Sequence, residues 1–355
     1  MNIHITGCGI AGITTALALS ELNNNIIIWE KEKLPGMYAT SKNAAIFRTY
    51  ESDPTLSFIA KQSYYEIEKM EKTEGPLLNK TGIFIDPMEY DYHEAPFLKK
   101  FPDASAISSE KKRIELPDGK SMEGLYLASN GVLDTHALVS ILMKKIIANG
   151  VTINFNSEVT SLETDQKIIN FTINSNQKIN LNENDIFINA AGSWAPSLLR
   201  KNQQWAPPVI PHKRHLFFIK GATPLPFSIP VIWSEKQDFY IRPETGGFLA
   251  SHCDQKACEP DDYNSDPKEV NNFLNALLYH YPFFEEYRIA KYWACIRTFA
   301  LDHHPVIGYD PFINNLFWVS GWGGRGMTIA TGIINNIKDI FFKKLKTPFS
   351  PERFI

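Results

Sequence analysis

The sequence predicts a two-lobed α/β protein, one lobe built on a parallel sheet and the other on a mostly antiparallel sheet with helices. Three observations lead there. The 355 residues exceed the roughly 250–300 at which a single hydrophobic core stops growing, so the chain should divide. Residues 1–30 run strand, glycine turn, helix, strand, acid, the βαβ pattern that starts a parallel sheet. Residues 206–299 read instead as successive strand-like runs with one helix near their end.

The elements follow in order. Asn2-Ile3-His4-Ile5-Thr6 alternates as a short buried strand, Gly7 to Gly12 is the turn, and Ile13 to Leu22 has helical spacing. Asn23-Asn24-Asn25 ends that helix, since Asn tolerates the left-handed exit conformation. Ile26-Ile27-Ile28-Trp29 is a second strand ending at Glu30, and Pro35-Gly36 opens a loop to Phe47. Asp53 caps a helix from Pro54 to about Met70. Residues 81–129 are mixed and turn-rich, with a hairpin signal at Pro117-Asp118-Gly119. Gly131 to Asp134 leads into a helix over Thr135–Ala148, closed by Asn149-Gly150, and Val151–Phe155 is a strand. Ile186–Asn189 is a buried strand running into Ala190-Ala191-Gly192. After the Pro207-Pro208 boundary come strand-like runs at 216–219, 238–242 and 248–251 and a helix over 267–281. The chain then reads strand 316–320, glycine loop 321–326 and one long helix from Met327 to Leu345. The division expected is one lobe from 1–75, 130–205 and 300–355, the other from 76–129 and 206–299.

Composition narrows the function. Hydrophobic residues make up 44% and charged residues 21%, which is ordinary globular material. The net charge of −3 disfavours a nucleic-acid partner, because phosphate binding needs a basic field. The basic run His212-Lys213-Arg214-His215 reads as a solvated turn. Four scattered cysteines form no disulfide framework and fit a reducing cytoplasm. Cys253 and Cys258 beside His252 lack the second ligand pair that structural zinc requires, so no metal is expected. No apolar run approaches the ~20 residues of a spanning helix, and glycines interrupt the apolar N-terminus where a signal peptide would be continuous.

The glycine turn carries the first chemistry. Gly7 permits the tight turn, Gly9 lets backbone approach a pyrophosphate, and Gly12 lets helix and strand pack closely. The following helix aims its amides and positive dipole end at the phosphates. Glu30, at the tip of the second strand, is placed to accept ribose hydroxyl hydrogens and repels a 2′-phosphate. This is a Rossmann-like fingerprint, and it suits NAD and FAD equally, since both share the ADP half.

Four segments, spread along nearly the whole chain, resemble the D-amino acid oxidase family of FAD enzymes, which includes glycine oxidase, monomeric sarcosine oxidase and D-amino acid dehydrogenases. They are the first turn through Glu30-Lys31, the small-residue loop Ser41-Lys42-Asn43-Ala44-Ala45, the pair formed by 131–138 with Val159 and Asn189-Ala190-Ala191-Gly192-Ser193-Trp194, and the loop Gly321-Trp322-Gly323-Gly324-Arg325-Gly326-Met327. The resemblance implies FAD held by Gly7, Gly9, Ile10, Ala11, Gly12, Glu30 and Lys31. It adds Thr40, Ser41, Asn43, Ala44 and Ala45 from the second segment and Val159, Ala191, Gly192 and Trp194 from the third. Gly323, Gly324, Arg325, Gly326, Met327 and Thr328 complete the set. With no cysteine in the terminal loop and no histidine near Asn43, the cofactor is expected to be non-covalent.

The resemblance also implies a reaction: oxidation of an amine or amino acid by hydride transfer from its α-carbon to flavin N5, with the imine then hydrolysed and oxygen or a quinone taking the electrons. Arg297 matches the family's carboxylate clamp, a role that suits a planar two-pronged guanidinium. Arg242 is a second clamp candidate, and Tyr240, Arg48 and Tyr50 are candidate pocket walls. His303 and His304 precede a proline and read as structural. Three alternatives stay open: a 2-hydroxy-acid dehydrogenase, a flavoprotein module of tRNA modification, and a regulatory NAD-binding protein.

Overall fold

The computed structural model describes residues 1–20, 24–51, 53–86, 110–116, 118–200, 205–221 and 229–355. The expected helix end at Leu22 and Asn23, and Pro117 of the expected hairpin, lie outside the described residues.

The strand Asn2–Thr6 lies inside a six-stranded sheet, paired in parallel with Asn25–Trp29 on one side and Ile186–Asn189 on the other. Thr152–Asn154 adds a parallel strand beyond the first neighbour and Leu316–Ser320 beyond the second, and Val306–Tyr309 closes the edge antiparallel. Both faces of this sheet are covered, which is why its strands are runs of isoleucine, phenylalanine and valine. The helix Ile10–Ser20 is buried on nearly all sides, packed by helices Thr135–Ala148 and Ile334–Lys343, and only a sequence as rich in Ala, Ile and Leu fits there.

The expected long terminal helix is interrupted. Helix Gly326–Ile329 passes through turns before Ile334–Lys343 resumes, and Lys344 ends it in the left-handed region at φ 49°. The cause lies at Gly332. A Cβ there would stand 2.2 Å from the Ile59 carbonyl oxygen, and the Gly332 amide donates to Ser63 Oγ at 2.8 Å. Helix Pro54–Glu74 thus presses against the backbone and takes a hydrogen bond from it.

The second sheet is nine-stranded and mostly antiparallel, with Val231–Ser234 and Ile83–Asp86 its parallel pair. Its long element is Val209–Lys220 paired with Arg288–Ala300, in a register that sets His212 opposite Arg297 and Arg214 opposite Cys295. Alternation gives the sheet two faces. Phe217, Ile219, Phe239, Ile241, Phe248 and Ala250 pack on helix Pro267–His280, where the Phe217 and Phe273 rings stack at 4.0 Å. The opposite face carries Leu216, Tyr240, Leu249 and Cys295, which meet Ala44 of the first lobe. Trp293 Nε1 donates to the Lys42 carbonyl at 3.3 Å across the same junction.

Candidate active site

A cleft runs between the lobes, lined by the turn residues Gly7 to Ala11, by 36–40 and 43–46, by Ala190 to Trp194, and by 319–324 and 326–328. Trp233, Tyr263 and Cys295 to Thr298 close it from the second sheet. Its empty space is about 1770 Å³ with the open mouth included.

The glycine turn is fixed by contact. Gly7 has φ +98°, and a Cβ there would meet Ala190 O at 2.6 Å. A Cβ on Gly12 would lie 2.0 Å from Gly7 O, so helix and turn touch through backbone alone. At Gly9 the nearest atom to such a Cβ is Thr40 Oγ1 at 3.4 Å, so this backbone faces open cleft. The helix's own ladder begins with Ile13 N to Gly9 O at 3.0 Å, and the earlier Ile10 amide donates to Thr40 Oγ1 at 3.0 Å.

Glu30 lines the cleft with its carboxylate already engaged: Oε2 accepts from the Cys8 amide at 2.6 Å and Oε1 from the Glu32 amide at 2.9 Å. Burial pushes this carboxyl above its ordinary value, and the two amides oppose the shift. Lys31 stands on aromatic faces, its Nζ 3.5 Å from the Trp194 ring centroid and 4.4 Å from that of Tyr38. Tyr38, Trp194 and Tyr263 pack together, with Tyr38 4.7 Å from Trp194 and 5.3 Å from Tyr263. Val159 begins the strand Val159–Asp165 and lines the same end.

At the other end Arg297 enters the cleft from strand Arg288–Ala300, 8% exposed, beneath the glycine loop, where a Cβ on Gly324 would lie 3.1 Å from its NH1. Its NH2 donates to the Tyr240 hydroxyl at 3.4 Å, and no carboxylate among the described residues pairs with it. Tyr240 stands behind the wall, stacked on Trp233 at 5.1 Å, and Arg48 lies 3.9 Å over the Trp233 ring.

Not every expected residue reaches the cleft. Arg242 turns to Glu244 Oε2 at 2.7 Å and to the Pro243 carbonyl at 3.2 Å, so its charge is met at its own strand end, outside the lining. Arg325 turns away to Glu51 at 2.9 Å, and Ser41 Oγ returns to the Tyr38 carbonyl at 3.3 Å. Gly12 serves packing. Ile10, Ala11, Thr40, Asn43, Ala44, Ala45, Ala191, Gly192, Gly323, Gly324, Gly326, Met327 and Thr328 all line the cleft. Asn43 shapes its loop by accepting from the Ala45 amide at 2.6 Å, which holds Ala45 at φ 55°.

Two features have no sequence signature. Buried Glu51 takes Arg48 NH2 at 2.9 Å and Arg325 Nε at 2.9 Å on one oxygen, and Arg48 Nε at 3.0 Å on the other. Burial acts to raise the Glu51 carboxyl, but the two guanidinium groups outweigh it and hold it below its ordinary value. Tyr263 reaches the cleft from a second-lobe segment that carries no motif. His303 does not line the cleft, and His304 Nε2 lies 3.0 Å from the helix cap Asp53. The described residues hold no cluster of metal-ligating side chains, and no helix among them is long and apolar enough to cross a membrane.

The profile of one family, DAO, the FAD-dependent oxidoreductases, matches residues 2–334. The chain belongs to this family. It is similar to L-proline dehydrogenase from P. horikoshii, with a TM-score of 0.81 at 19% identity, covering 99% of this chain and 97% of that one. Glycine oxidase from Bacillus cereus gives a TM-score of 0.73 at 18% identity, covering 98% of each chain. These likenesses establish the fold, a Rossmann-like parallel sheet joined to a large antiparallel one. In sequence the chain is 27% identical to a D-amino acid dehydrogenase of Vibrio atlanticus over 234 residues, 64% of this chain and 52% of that protein. It is 24% identical to an FAD-dependent oxidoreductase domain-containing protein 1 of Xenopus laevis, over 48% of this chain and 38% of that one. The chain thus spans about half or less of these curated relatives.

Membership of this family implies FAD, and the cleft suits that cofactor. Gly9 offers open backbone at a helix N-terminus, small residues at 44–45 and 190–192 leave room for a flat ring, and the buried Trp322 Nε1 has no hydrogen-bond partner. A buried indole donor in a lining residue calls for an acceptor on a bound group.

Proposed function

We propose that this flavoenzyme oxidises an amino acid of the D-amino acid, glycine or N-methyl type, with Arg297 anchoring the substrate carboxylate. The observation that carries the reading is the state of Arg297: a guanidinium 8% exposed in the cleft, with a tyrosine hydroxyl at 3.4 Å and, among the described residues, no acid paired with it. A buried cation without a counter-charge is costly, and a bound carboxylate relieves that cost with two parallel hydrogen bonds. Bound FAD would supply a hydride acceptor for the substrate α-carbon; the amine nitrogen would release a proton, the imine would be hydrolysed, and oxygen or a quinone would take the electrons. The chain's part is positioning: Arg297 holds the carboxylate, the Tyr240 hydroxyl steadies the guanidinium, and Trp233 with Arg48 walls the pocket. Tyr240 acts through Arg297 and Arg242 takes no part. The amino-acid names of several relatives support the same reading.

In this reading residues 1–75, 130–205 and 300–355 hold the cofactor, and 76–129 with 206–299 present the substrate. Glu30 and Val159 would hold the adenosine end of FAD and the flavin end would lie toward Arg297, without a covalent link. Cys295 lines the cleft, yet burial pushes its thiol up, so it offers little thiolate to attack a flavin. The four free thiols suit a reducing cytoplasm. Glu30→Ala is expected to weaken FAD binding by at least about tenfold, since each charge-assisted hydrogen bond contributes ~1.5–3 kcal/mol at most. Because Glu30 also ties the Cys8 and Glu32 amides, the apo-variant should melt at a lower temperature as well. FAD titration and thermal melts read both effects, and unchanged affinity would place adenosine elsewhere.

The reading is tested by mixing the yellow protein anaerobically with panels of amino acids, amines and 2-hydroxy acids. Bleaching of the flavin by amino acids is expected, with FAD released intact on denaturation. Bleaching only by 2-hydroxy acids would keep the clamp and overturn the amine. Bleaching by carboxylate-free amines alone would remove Arg297 from substrate binding.

A further inference from the structure

We propose that Cys258–Asp266, a segment of the second lobe, is a strap that retains FAD, with Tyr263 as a cofactor-binding residue at its adenosine end. The inference rests on the cofactor orientation proposed above. Tyr263 lines the cleft at the end formed by Glu30, Lys31 and Trp194, although it belongs to the lobe assigned to substrate. Its ring lies 5.3 Å from Tyr38 and stacks at 6.5 Å on Trp194, and Lys42 Nζ sits 4.2 Å from its centroid. Ser193 Oγ donates to the Pro260 carbonyl at 3.3 Å. The middle of the segment therefore touches the cofactor lobe at several points.

Its ends are tied to the other lobe. The Cys258 amide donates to the Pro211 carbonyl at 3.0 Å, and the Asp266 amide to His215 Nε2 at 2.9 Å. Lys213 Nζ reaches Asp262 at 2.6 Å and the Asn264 carbonyl at 2.9 Å. All three anchor residues sit on strand Val209–Lys220, which pairs with the strand of Arg297. Between the ties the segment has no regular ladder, and Glu259 and Asp261 are exposed. Such a segment opens at small cost compared with a sheet strand. A dinucleotide seated at the Glu30 end must move the Tyr263 ring aside to leave, so the substrate lobe governs how long the cofactor stays.

The test measures FAD release from the holoenzyme by the rise in flavin fluorescence after dilution into FAD-free buffer, and uptake by the reverse mixing. Tyr263→Ala should speed release by tenfold or more, in line with the roughly five- to hundredfold effect of losing an aromatic contact to a base. Tyr263→Phe keeps the ring and should release FAD at nearly the parent rate. Asp262→Asn removes the ionic half of the Lys213 tie, leaving its contact with the Asn264 carbonyl, and should speed both release and uptake. Release from Tyr263→Ala within twofold of the parent overturns the proposal. If that variant does not fold, unchanged release and uptake for Asp262→Asn overturn it instead. Glu30→Ala run alongside separates the two readings: weakened binding there with no effect at Tyr263 sinks the strap alone, whereas no effect at Glu30 sinks the orientation beneath it.

Discussion

Arg297→Ala lowers kcat/KM on the best carboxylate-bearing substrate by roughly thirty- to several-thousandfold, the equivalent of 2–5 kcal/mol for truncating one partner of a buried charge pair. The direction follows from the geometry already given. The guanidinium sits in the cleft without an acidic partner among the described residues, so the substrate's own carboxylate becomes the counter-charge. Arg297→Lys keeps the charge but loses the two-pronged fork, and it should recover binding only in part. FAD content should stay normal in both, because the residue is assigned to substrate. Tyr240→Phe removes the hydroxyl at 3.4 Å and should give a smaller loss, chiefly in KM. Steady-state kinetics at saturating FAD decide the matter. Normal kcat/KM in Arg297→Ala would move the clamp elsewhere, and Arg48, beside Trp233 in the lining, would then be the next candidate.

The second large effect is on stability. Glu51→Gln leaves Arg48 and Arg325 facing each other without a counter-charge in a site where the carboxylate is 2% exposed. Removing one partner of a buried ion pair costs on the order of 3–5 kcal/mol. The sign with pH is fixed by the depressed carboxyl. A glutamate held below its ordinary 4.5 stabilises the fold fully above that value and loses the contribution as pH falls through its folded pKa. Parent and variant should therefore differ most at pH 7 in urea unfolding and converge only once the pH has fallen through the folded pKa of Glu51. A gap under about 1 kcal/mol at pH 7, or one that persists unchanged in acid, would show that Glu51 is not the tie.

The sequence made the cofactor end far more legible than the substrate end. A glycine turn is local: Gly7, Gly9 and Gly12 constrain one another within a single turn, and Glu30 follows at the end of the next strand. The βαβ unit could be read for that reason, and the sheet alternation that separates Tyr240 from Ile241 obeys the same kind of rule. The Arg48–Glu51–Arg325 cluster obeys none, since Arg325 is 274 residues from Glu51. Arg242 shows a different limit. Period-two alternation assigns a residue to a face, but a long side chain at a strand end follows the nearest carboxylate, here Glu244 two residues on. Gly332 shows a third: nothing in the helical spacing of 327–345 reveals that Ser63 and Ile59 press on this glycine from another helix.

The place of Asn2–Thr6 within its sheet bears on how the chain is born. The strand Asn2–Thr6 rests beside Ile186–Asn189, which in turn needs Leu316–Ser320, and the helix Ile10–Ser20 is buried partly by Ile334–Lys343. At ~5–20 residues per second, the ribosome takes roughly 15 to 60 s to deliver that last helix after the first has emerged. Throughout that interval the most apolar helix among the described residues has no finished surface to cover it. Until residues 316–343 have been made, Asn2–Thr6 and Ile10–Ser20 lack the surface that protects them from aggregation.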